Sequence, residues 1–528
     1  MLKIILKLTL IFLFISFSNA QFKPETISLP TDENYFSKIT SSNPVSNSIL
    51  DIITIGDTVW LGTSRGVSVS FDRGENWTNF YGTTPFGNDD ISAIGYNKYD
   101  STFWAATATS VEAVGGGTVS KGTGLKYTTN NGITWMSIPQ PIDADNDTIE
   151  IYGINTLLAL PVTVAEQNLT YDIAFTPGTN DTTTVWITSF AGGLRRSTDM
   201  GATWSRVVIP PDNLSSIGPE DTLDFCLSPI GGTFCSEGNL NHRAFSVIAT
   251  DDSTVYVGTA NGINKTTNAN DQYPGWIKFN HQNQLEPISG NFITALGFNS
   301  TNNIVWAASW KAEDIAEFYG VSSSSDGGLS WKTFLEDERS HNFGFKNNEV
   351  IALTDNGAFR SVNQGHSWIL PNNIVDKESG VSLQTNIFYS AASEGNDVWL
   401  GSADGLARIR ETGFWNGDWK IYFASQPLKS DNETYCYPNP FSPRQEQLKI
   451  KYSTGGVEAS VTIRVYDFGM NYIKTIIQNA ARNRNLEGAP EFWDGTDDKG
   501  NFLPNGVYFY RVDINDEEPL FGKIIYLQ

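Results

Sequence analysis

The side chains best suited to chemistry are sparse in this sequence. Four histidines, His242, His281, His341 and His366, are scattered along 528 residues. None sits in a Ser or Cys context that reads as a nucleophile with its base, so no triad is expected. Three cysteines, Cys226, Cys235 and Cys436, have no partner spacing for a zinc site. The stretch DADNDT at 143–148 sets carboxylates at alternate positions, as a calcium loop does. It lacks the glycine at the sixth position and the distal bidentate Glu, so calcium is a weak expectation and no other cofactor or metal is expected. DGTDDKGN at 494–501 fits turn chemistry better than ligation. No phosphate-binding glycine loop, dinucleotide fingerprint or basic patch is present. Catalytic residues cannot be named from these observations.

One pattern does recur. SFDRGENW at 70–77, STDMGATW at 197–204 and SSDGGLSW at 324–331 each spell Ser-x-Asp-x-Gly-x-x-Trp. Weaker copies are TTNNGITW at 128–135 and SVNQGHSW at 361–368, with a longer, damaged one at 266–276. Each copy follows a strand-like segment of one type: VWLGT, FWAAT, VWITS, VYVGT, VWAAS and VIALT, with a seventh such segment, VWLGS at 398–402. ISAIGYN at 91–97 and ITALGFN at 293–299 are near copies of a third element that precedes most of these. In VWLGT, Val59 and Leu61 alternate with Trp60 and Gly62, so both faces suit burial between sheets. One repeat therefore holds four antiparallel strands in roughly 45 residues, the size and content of a propeller blade.

Composition agrees. Charged residues make up 18%, against 47 Gly, 22 Pro and 15 Trp, which favours short strands and turns over long helices. The formal net charge of −23 argues against nucleic acid and against an anionic membrane as partner.

The repeats resemble the Asp-box (BNR) repeat of seven-bladed β-propellers, over about residues 45–425. That resemblance implies a turn between third and fourth strands, formed by Ser70, Asp72, Gly74 and Trp77, by Ser197, Asp199, Gly201 and Trp204, and by Ser324, Asp326, Gly328 and Trp331. The Asp is expected to accept backbone N–H bonds within its own turn, and the Trp to pack between blades. The motif is then architectural and says little about activity. The same family includes sialidases, but no Arg-Ile-Pro motif lies near the first blade, and Arg73, Arg195, Arg196, Arg206 and Arg360 lie next to boxes, at blade edges. A sialidase is not expected. His242 and Arg243 directly precede an inner strand, where a surface pair at a loop end is the plainer reading than a channel-mouth site. Two stretched connections, 136–170 and 206–243, join a fourth strand to the next first strand, and long loops on a rigid scaffold are where recognition concentrates.

After residue 434 the composition changes. Alternation in Val461, Ile463 and Val465, with turns at Asp494-Gly495 and Pro504-Asn505-Gly506, gives about seven strands and a small antiparallel sandwich. The region resembles the Ig-like module of flagellar hook-capping protein and the C-terminal sorting domains of type IX secretion. Tyr437-Pro438-Asn439-Pro440-Phe441, Trp493-Asp494-Gly495, Gly506-Val507-Tyr508 and Lys523-Ile524-Ile525 carry that likeness. The resemblance implies the type IX machinery as a partner, with passage across the outer membrane. The ending Tyr526-Leu527-Gln528 departs from sorting domains that close on Lys, so a plain spacer stays open.

The chain begins with a basic flank, Lys3 and Lys7, an apolar run and small residues Ser18 and Ala20, a secretory signal peptide over 1–20. No later stretch is apolar enough to span a bilayer. In an exported chain Cys226 and Cys235 are either a disulfide or two buried thiols, and the compartment favours the bridge. The expected organisation is a lead-in at 21–44, a propeller at 45–425, a linker at 426–434 and the sandwich at 435–528. The class is all-β: a seven-bladed β-propeller followed by a small Ig-like antiparallel β-sandwich. The expected function is a monomeric, secreted or surface-held, non-enzymatic protein that binds a protein or polysaccharide at the propeller face. A secreted polysaccharide-active hydrolase or lyase, and a periplasmic sensor or assembly factor, are the alternatives.

Overall fold

The computed structural model describes residues 40–528 apart from 42, 114, 179–181, 313, 378–381, 384, 425–427, 429, 431, 445–446 and 483–489. The signal-peptide reading and most of the lead-in fall outside the described residues. No helix among the described residues is long and apolar enough to cross a membrane.

Among the described residues, seven antiparallel sheets account for the strands of 40–422 apart from one small extra sheet; each is a meander of consecutive strands, with Thr40–Ser41 and Ser216–Ile217 added at the outer edge of the first and fourth. Their first strands are Ile49–Ile55, Asp90–Asn97, Asp172–Pro177, Ala244–Ala249, Phe292–Asn299, Ser340–Lys346 and Phe388–Glu394. Each first strand packs beside the next, and the seventh returns to the first, so the ring is closed. The sheets are blades 1 to 7 of a β-propeller. Second strands such as Thr58–Thr63, Thr183–Ser189 and Ile304–Trp310 are buried over nearly their whole length. Both of their faces meet a neighbouring sheet, which explains why they read as near-continuous apolar runs. The Trp of the Val-Trp segment is the main filler: Trp60, Trp104, Trp186, Trp306 and Trp399 are all fully buried. Blade 7 closes on blade 1 through the N–H groups of Gly405 and Ala424, which donate to the carbonyl (2.7 Å) and side-chain oxygen (2.6 Å) of Asn47.

The Ser-x-Asp turns join third and fourth strands. In blade 1 the Ser70 hydroxyl donates to Asp72 Oδ1 at 2.8 Å and accepts the Gly74 N–H at 2.7 Å. Asp72 Oδ1 accepts the Asn76 N–H at 2.8 Å. Ser197, Asp199 and Thr203 repeat the arrangement, as do Ser324, Asp326 and Ser330. Thr128 with Asn130, and Ser361 with Asn363, build the same turn with an amide in place of the carboxylate. Trp77 then packs edge-on against Trp399 and Tyr422 of blade 7, with ring centroids 6.2 and 5.9 Å away.

Blade 6 departs from the pattern. Among the described residues its sheet has three strands, and an isolated bridge, Arg360 to Ile369, marks the place of a fourth. The long hairpin Gly405–Gly413 and Asn416–Tyr422 of blade 7 covers that gap, with Trp415 Nε1 donating to the Ile369 carbonyl at 3.1 Å.

Residues 435–528 form two further sheets. Tyr435–Tyr437, Leu448–Lys451 and Glu491–Trp493 make one; Ala459–Tyr466, Tyr472–Arg482, Gly506–Ile514 and Leu520–Tyr526 make the other. One core, containing Phe441, Val461, Trp493, Tyr510 and Tyr526, lies between them. Asn439 explains the Tyr-Pro-Asn-Pro-Phe segment: its amide donates to the Lys523 carbonyl and accepts the Ile525 N–H, both at 2.7 Å. The beginning of the sandwich is thereby tied to its last strand. Asp497 accepts the N–H groups of Lys499 and Asn501, so DGTDDKGN is a turn.

Candidate functional site

Each first strand starts at the channel end of its blade, and in six of the seven a β-bulge interrupts pairing with the second strand there. A bulge re-aims one side chain away from the pleat. The residues at this place are Leu50, Ser92, Phe245, Thr294, His341 and Tyr389, with Tyr171 in the unbulged blade 3. Four of the seven are ring side chains, and they do not stand alone. Tyr171 meets Phe245 at 5.3 Å, Phe245 meets Phe292 at 4.7 Å, and Phe292 stacks on Trp310 at 6.1 Å. Trp310 contacts Tyr319 and His341, and His341 contacts Tyr389 at 5.2 Å. An arc of rings thus runs across blades 3 to 7 at one end of the channel. Phe245, Trp310 and Tyr389 are buried in it, while Tyr171, Phe292, Tyr319 and His341 keep part of their surface exposed.

Polar groups flank the arc. His341 Nε2 lies 2.7 Å from Asp355 Oδ1, on the turn between second and third strands of blade 6. The Arg339 guanidinium stands over Trp310 and Tyr319 at 5.3 and 5.0 Å, and Arg243 stands over Phe190 at 5.1 Å. Cation–π contacts of this kind hold a guanidinium flat against a ring. Arg243 is therefore near the channel mouth. Its neighbour His242 is not available: it is buried, its ring nitrogens lie against the Ser228 N–H and the Ile209 carbonyl, and burial pushes it down to about 4.

Two buried carboxylates, Asp51 of blade 1 and Asp172 of blade 3, follow the bulge position on their first strands. Burial pushes Asp51 up to about 7, with repulsion from Asp172 adding to it. Burial pushes Asp172 up to about 6, against its bonds from the Val247 N–H (2.9 Å), the Ile173 N–H and the Ser246 hydroxyl. Asp51 accepts from Ile52 and from Ile94 of the next blade. Ser246 Oγ in turn accepts the Leu296 N–H of blade 5 at 2.8 Å. These side chains clamp one first strand to the next, and their oxygens are committed to backbone amides.

The two inserts do not remain at the channel mouth. Ile149–Tyr152 and Asn155–Ala159 of the first form a hairpin, and Cys226–Leu227 of the second adds to it as a parallel strand. Ser216–Ile217 pairs with Trp276–Phe279 as a fifth, outermost strand of blade 4. Tyr152 and Leu157 sink into a core with Trp186, Val207, Val247 and Trp276, and Tyr152 Oη donates to the Pro274 carbonyl at 2.8 Å on the outer turn of blade 4. The inserts wedge down the flank between blades 3 and 4 because their apolar side chains are buried there. A disulfide joins Cys226 to Cys235 with Cα atoms 5.8 Å apart, and Cys436 is a buried free thiol.

The arginines beside the boxes hold these parts together. Arg195 makes a bidentate pair with Asp143 (2.7 and 2.8 Å), and Arg206 reaches Asp147 and Glu150 at 2.9 and 3.0 Å. Two of the three carboxylates of DADNDT, Asp143 and Asp147, thus turn onto guanidinium groups, which takes from them the free charge a calcium loop needs, while Asp145 stays exposed. Arg196 donates to the carbonyls of Ala269, Asp271 and Gln272 in blade 4. Arg360 is buried between Glu349 and Glu411, with Phe414 and Trp415 on its faces at 4.8 and 4.7 Å. Arg73 alone stays at the surface, paired with Asp57.

The arc escaped the sequence reading because its members are not a motif. Only aligning the first strands to the bulge brings Tyr171, Phe245, His341 and Tyr389 into one column.

No protein-family model matches the sequence, and no curated protein matches it. Solved structures do share the architecture. The GH74 xyloglucanase of Xanthomonas campestris is 12% identical with a TM-score of 0.50, covering 91% of this chain and 66% of its own. PorZ, an essential surface component of the type IX secretion system of Porphyromonas gingivalis, is 12% identical with a TM-score of 0.31 over the same shares. YCF48 of Cyanidioschyzon merolae is 14% identical with a TM-score of 0.38, covering 70% of this chain and 94% of its own. The chain spans just under two thirds of the first two. At such identities the likeness is one of fold, and the chain is an all-β protein built on a β-propeller.

Proposed function

We propose that the protein is an exported, surface-held or released binding protein, not an enzyme, and that it recognises a glycan or protein ligand on the channel-end face of its propeller. The arc of rings from Tyr171 to Tyr389 carries this reading. Partly exposed rings on a rigid rim offer stacking faces to sugar rings or apolar side chains at small entropic cost. Burial of Phe245, Trp310 and Tyr389 within the arc favours a ligand lying across the mouth over one entering a deep pocket. The carboxylates on the first strands, Asp51 and Asp172, hold backbone amides, which disfavours a glycosidase pair working from that position. The C-terminal sandwich serves export or attachment in this reading, on the strength of its resemblance to sorting domains.

Affinity electrophoresis through gels containing soluble plant and bacterial polysaccharides tests the binding. Retardation by one polymer, lost in Phe292→Ala and Tyr319→Ala with the melting temperature unchanged, is expected. Release of reducing ends from any of these polymers overturns the non-enzymatic reading. Mapping the mature termini in washed cells and medium tests the export role: a propeller outside the cell that has lost residues from about 430 onward supports it, and an intact protein held in the periplasm overturns it.

A further inference from the structure

The hairpin on the flank of blades 3 and 4 has two unlike faces. Glu150, Tyr152, Leu157 and Ala159 point inward, and Tyr152, Leu157 and Ala159 are buried. Ile149, Ile151 and Leu158 point outward and keep 51%, 47% and 53% of their surface. Ile149 and Leu158 stand directly opposite each other in the pairing, so the three side chains form one aliphatic ridge. Core packing does not account for them, because the opposite face supplies it. The ridge is pre-formed: Arg206 and Asp147 brace one end of the hairpin, the Tyr152–Pro274 bond the other, and Cys226–Leu227 its inner edge.

No further strand pairs with the outer edge of Ile149–Tyr152 among the described residues. Glu150 pairs with Leu157 and Tyr152 with Asn155, and the Ala159 N–H donates to the Thr148 carbonyl at 2.9 Å. By the alternation of an antiparallel ladder, the amide groups of Ile149 and Ile151 then face away from the partner strand. The buried Arg206 side chain caps the start of that edge, donating to the Asp147 carbonyl at 3.1 Å and the Ile149 carbonyl at 3.4 Å, so the pairing edge is the Ile149 N–H and the Ile151 peptide groups.

Charge selects the occupant. Exposed carboxylates stand at both ends of the hairpin: Asp145 and Asp147 precede it, and Glu220, Asp221 and Asp224 lie on the segment whose Pro219 and Asp221 carbonyls accept from Ile154 and Asn155 at its turn. The cationic side chains of the two inserts turn inward, Arg206 onto its carboxylates and Arg243 onto Phe190 and the Pro229 carbonyl. The surface is an aliphatic ridge with an open strand edge and an acidic rim.

We propose that this flank is a docking site for another protein, which adds an extended segment to the edge of Ile149–Tyr152, with alternate side chains apolar and the flanking ones Lys or Arg. Main-chain pairing supplies register, the aliphatic ridge supplies burial, and the rim selects basic over acidic segments. A second copy of this chain brings the same acidic rim and a net charge of −23, so it fits poorly. A glycan finds no ring to stack on at this ridge. The site is separate from the channel-end arc, and either stands without the other.

Two measurements test it. The first is fluorescence anisotropy with a labelled twelve-residue peptide of alternating Val and Lys. Binding to the full chain is expected to exceed that of the Val–Glu peptide at least tenfold, and to weaken as salt rises. N-methylation of alternate peptide amides should abolish it, a control that leaves the protein untouched. Equal binding of both peptides, or none at all, overturns the proposal. The second is a photo-crosslinking residue at Ile151 in cells that make the protein. The proposal expects a cross-link to one protein whose attached segment has the alternating basic–apolar pattern, lost in Leu158→Asp and retained in Tyr319→Ala. Cross-links to a second copy of the chain, to lipid or polysaccharide, or to segments without that pattern overturn it. Proteolytic stability of Leu158→Asp separates loss of docking from loss of folding.

Discussion

Gly74 stands at a φ of 86°, and a Cβ placed on it would lie 2.6 Å from Trp399 Cη2 and 2.7 Å from Tyr422 Oη. Two separate penalties therefore fall on Gly74→Ala, left-handed backbone and a clash with the rings that close blade 7 on blade 1. The expected loss is about 2–4 kcal/mol, read from the urea midpoint. Ser70→Ala removes the hydroxyl's bond to Asp72 and the one it accepts from the Gly74 N–H, with no backbone penalty, and is expected to cost about 1–2 kcal/mol. In the third such turn, Asp326 is held down to about 2: its partial burial raises it, and the Ser330 and Ser324 bonds outweigh that. Asp51 and Asp172 behave in the opposite way. Their folded values, about 7 and about 6, lie above the ordinary carboxylate range, so the folded chain binds more protons than the unfolded chain between about pH 4 and pH 7. Stability held through these groups is complete below about pH 4 and is lost as the pH rises through about 6 to 7. Asp51→Asn is expected to flatten this decline and to raise the melting temperature at pH 8 relative to the wild type. A melting curve series from pH 5 to 8 with parallel slopes for both proteins would show that assignment to be wrong.

At the scale of elements, the missing fourth strand of blade 6 is made good by a side chain. Arg360 ties Glu349 of its own blade to Glu411 of blade 7, and Lys346 also reaches Glu411, at 2.6 Å. The guanidinium and the carboxylate are both buried, so removing one strands the other. Arg360→Met is expected to cost about 3 kcal/mol, less than a fully orphaned charge because Lys346 remains beside Glu411. Chemical denaturation measures this, and Trp415 fluorescence reports whether the covering hairpin lifts. The inserts respond differently to the loss of their bridge. The disulfide closes a loop within the second insert and leaves the seven-sheet ring untouched. Cys226→Ser with Cys235→Ser should keep the thermal transition of the propeller and open residues 228–238 to limited proteolysis. A fall in the main transition of more than a few degrees would mean that the inserts hold the propeller together.

For the molecule as a whole, a buried ion pair with aromatic rings around it joins sandwich and propeller. Lys449 of the sandwich is fully buried, 2.5 Å from Asp404 on the channel-end turn of blade 7. Phe423, Tyr437 and Phe492 present rings to the ammonium at 5.0, 5.8 and 5.9 Å, and Phe423 meets Phe492 at 5.7 Å. The sandwich thus rests at the same end of the propeller as the arc, beside blade 7. Burial of a lone carboxylate is costly, so Lys449→Ala should release the contact and leave each unit folded. Scanning calorimetry is expected to show one shared transition in the wild type and two separate ones in the variant. A single transition lowered in both position and heat would instead place Lys449 in the folding core of the sandwich.

Much of this architecture was legible in the amino-acid order. The second strand of every blade announces itself by an apolar core, Val-Trp in four blades and Phe-Trp, Val-Tyr or Val-Ile in the others, because a strand buried on both faces has no polar side to hide its period. The Ser-x-Asp turns announce themselves because a short side chain must satisfy nearby amides at a fixed spacing, and that chemistry is local. The sandwich strands followed from alternation for the same reason. What depended on the tertiary structure is everything built from residues distant in sequence. The arc of Tyr171, Phe245, Phe292, Trp310, His341 and Tyr389 exists because ring closure brings successive first strands side by side. The joining of the two inserts into one sheet, and their burial along the flank, depend on Tyr152 and Leu157 finding the core of blades 3 and 4. Arg195, Arg206 and Arg360 looked like edge residues, and folding supplied carboxylates from other segments. Local turns and burial periods are written within a few residues, whereas a binding face is assembled by contacts between segments, and a single sequence carries no record of which segments will meet.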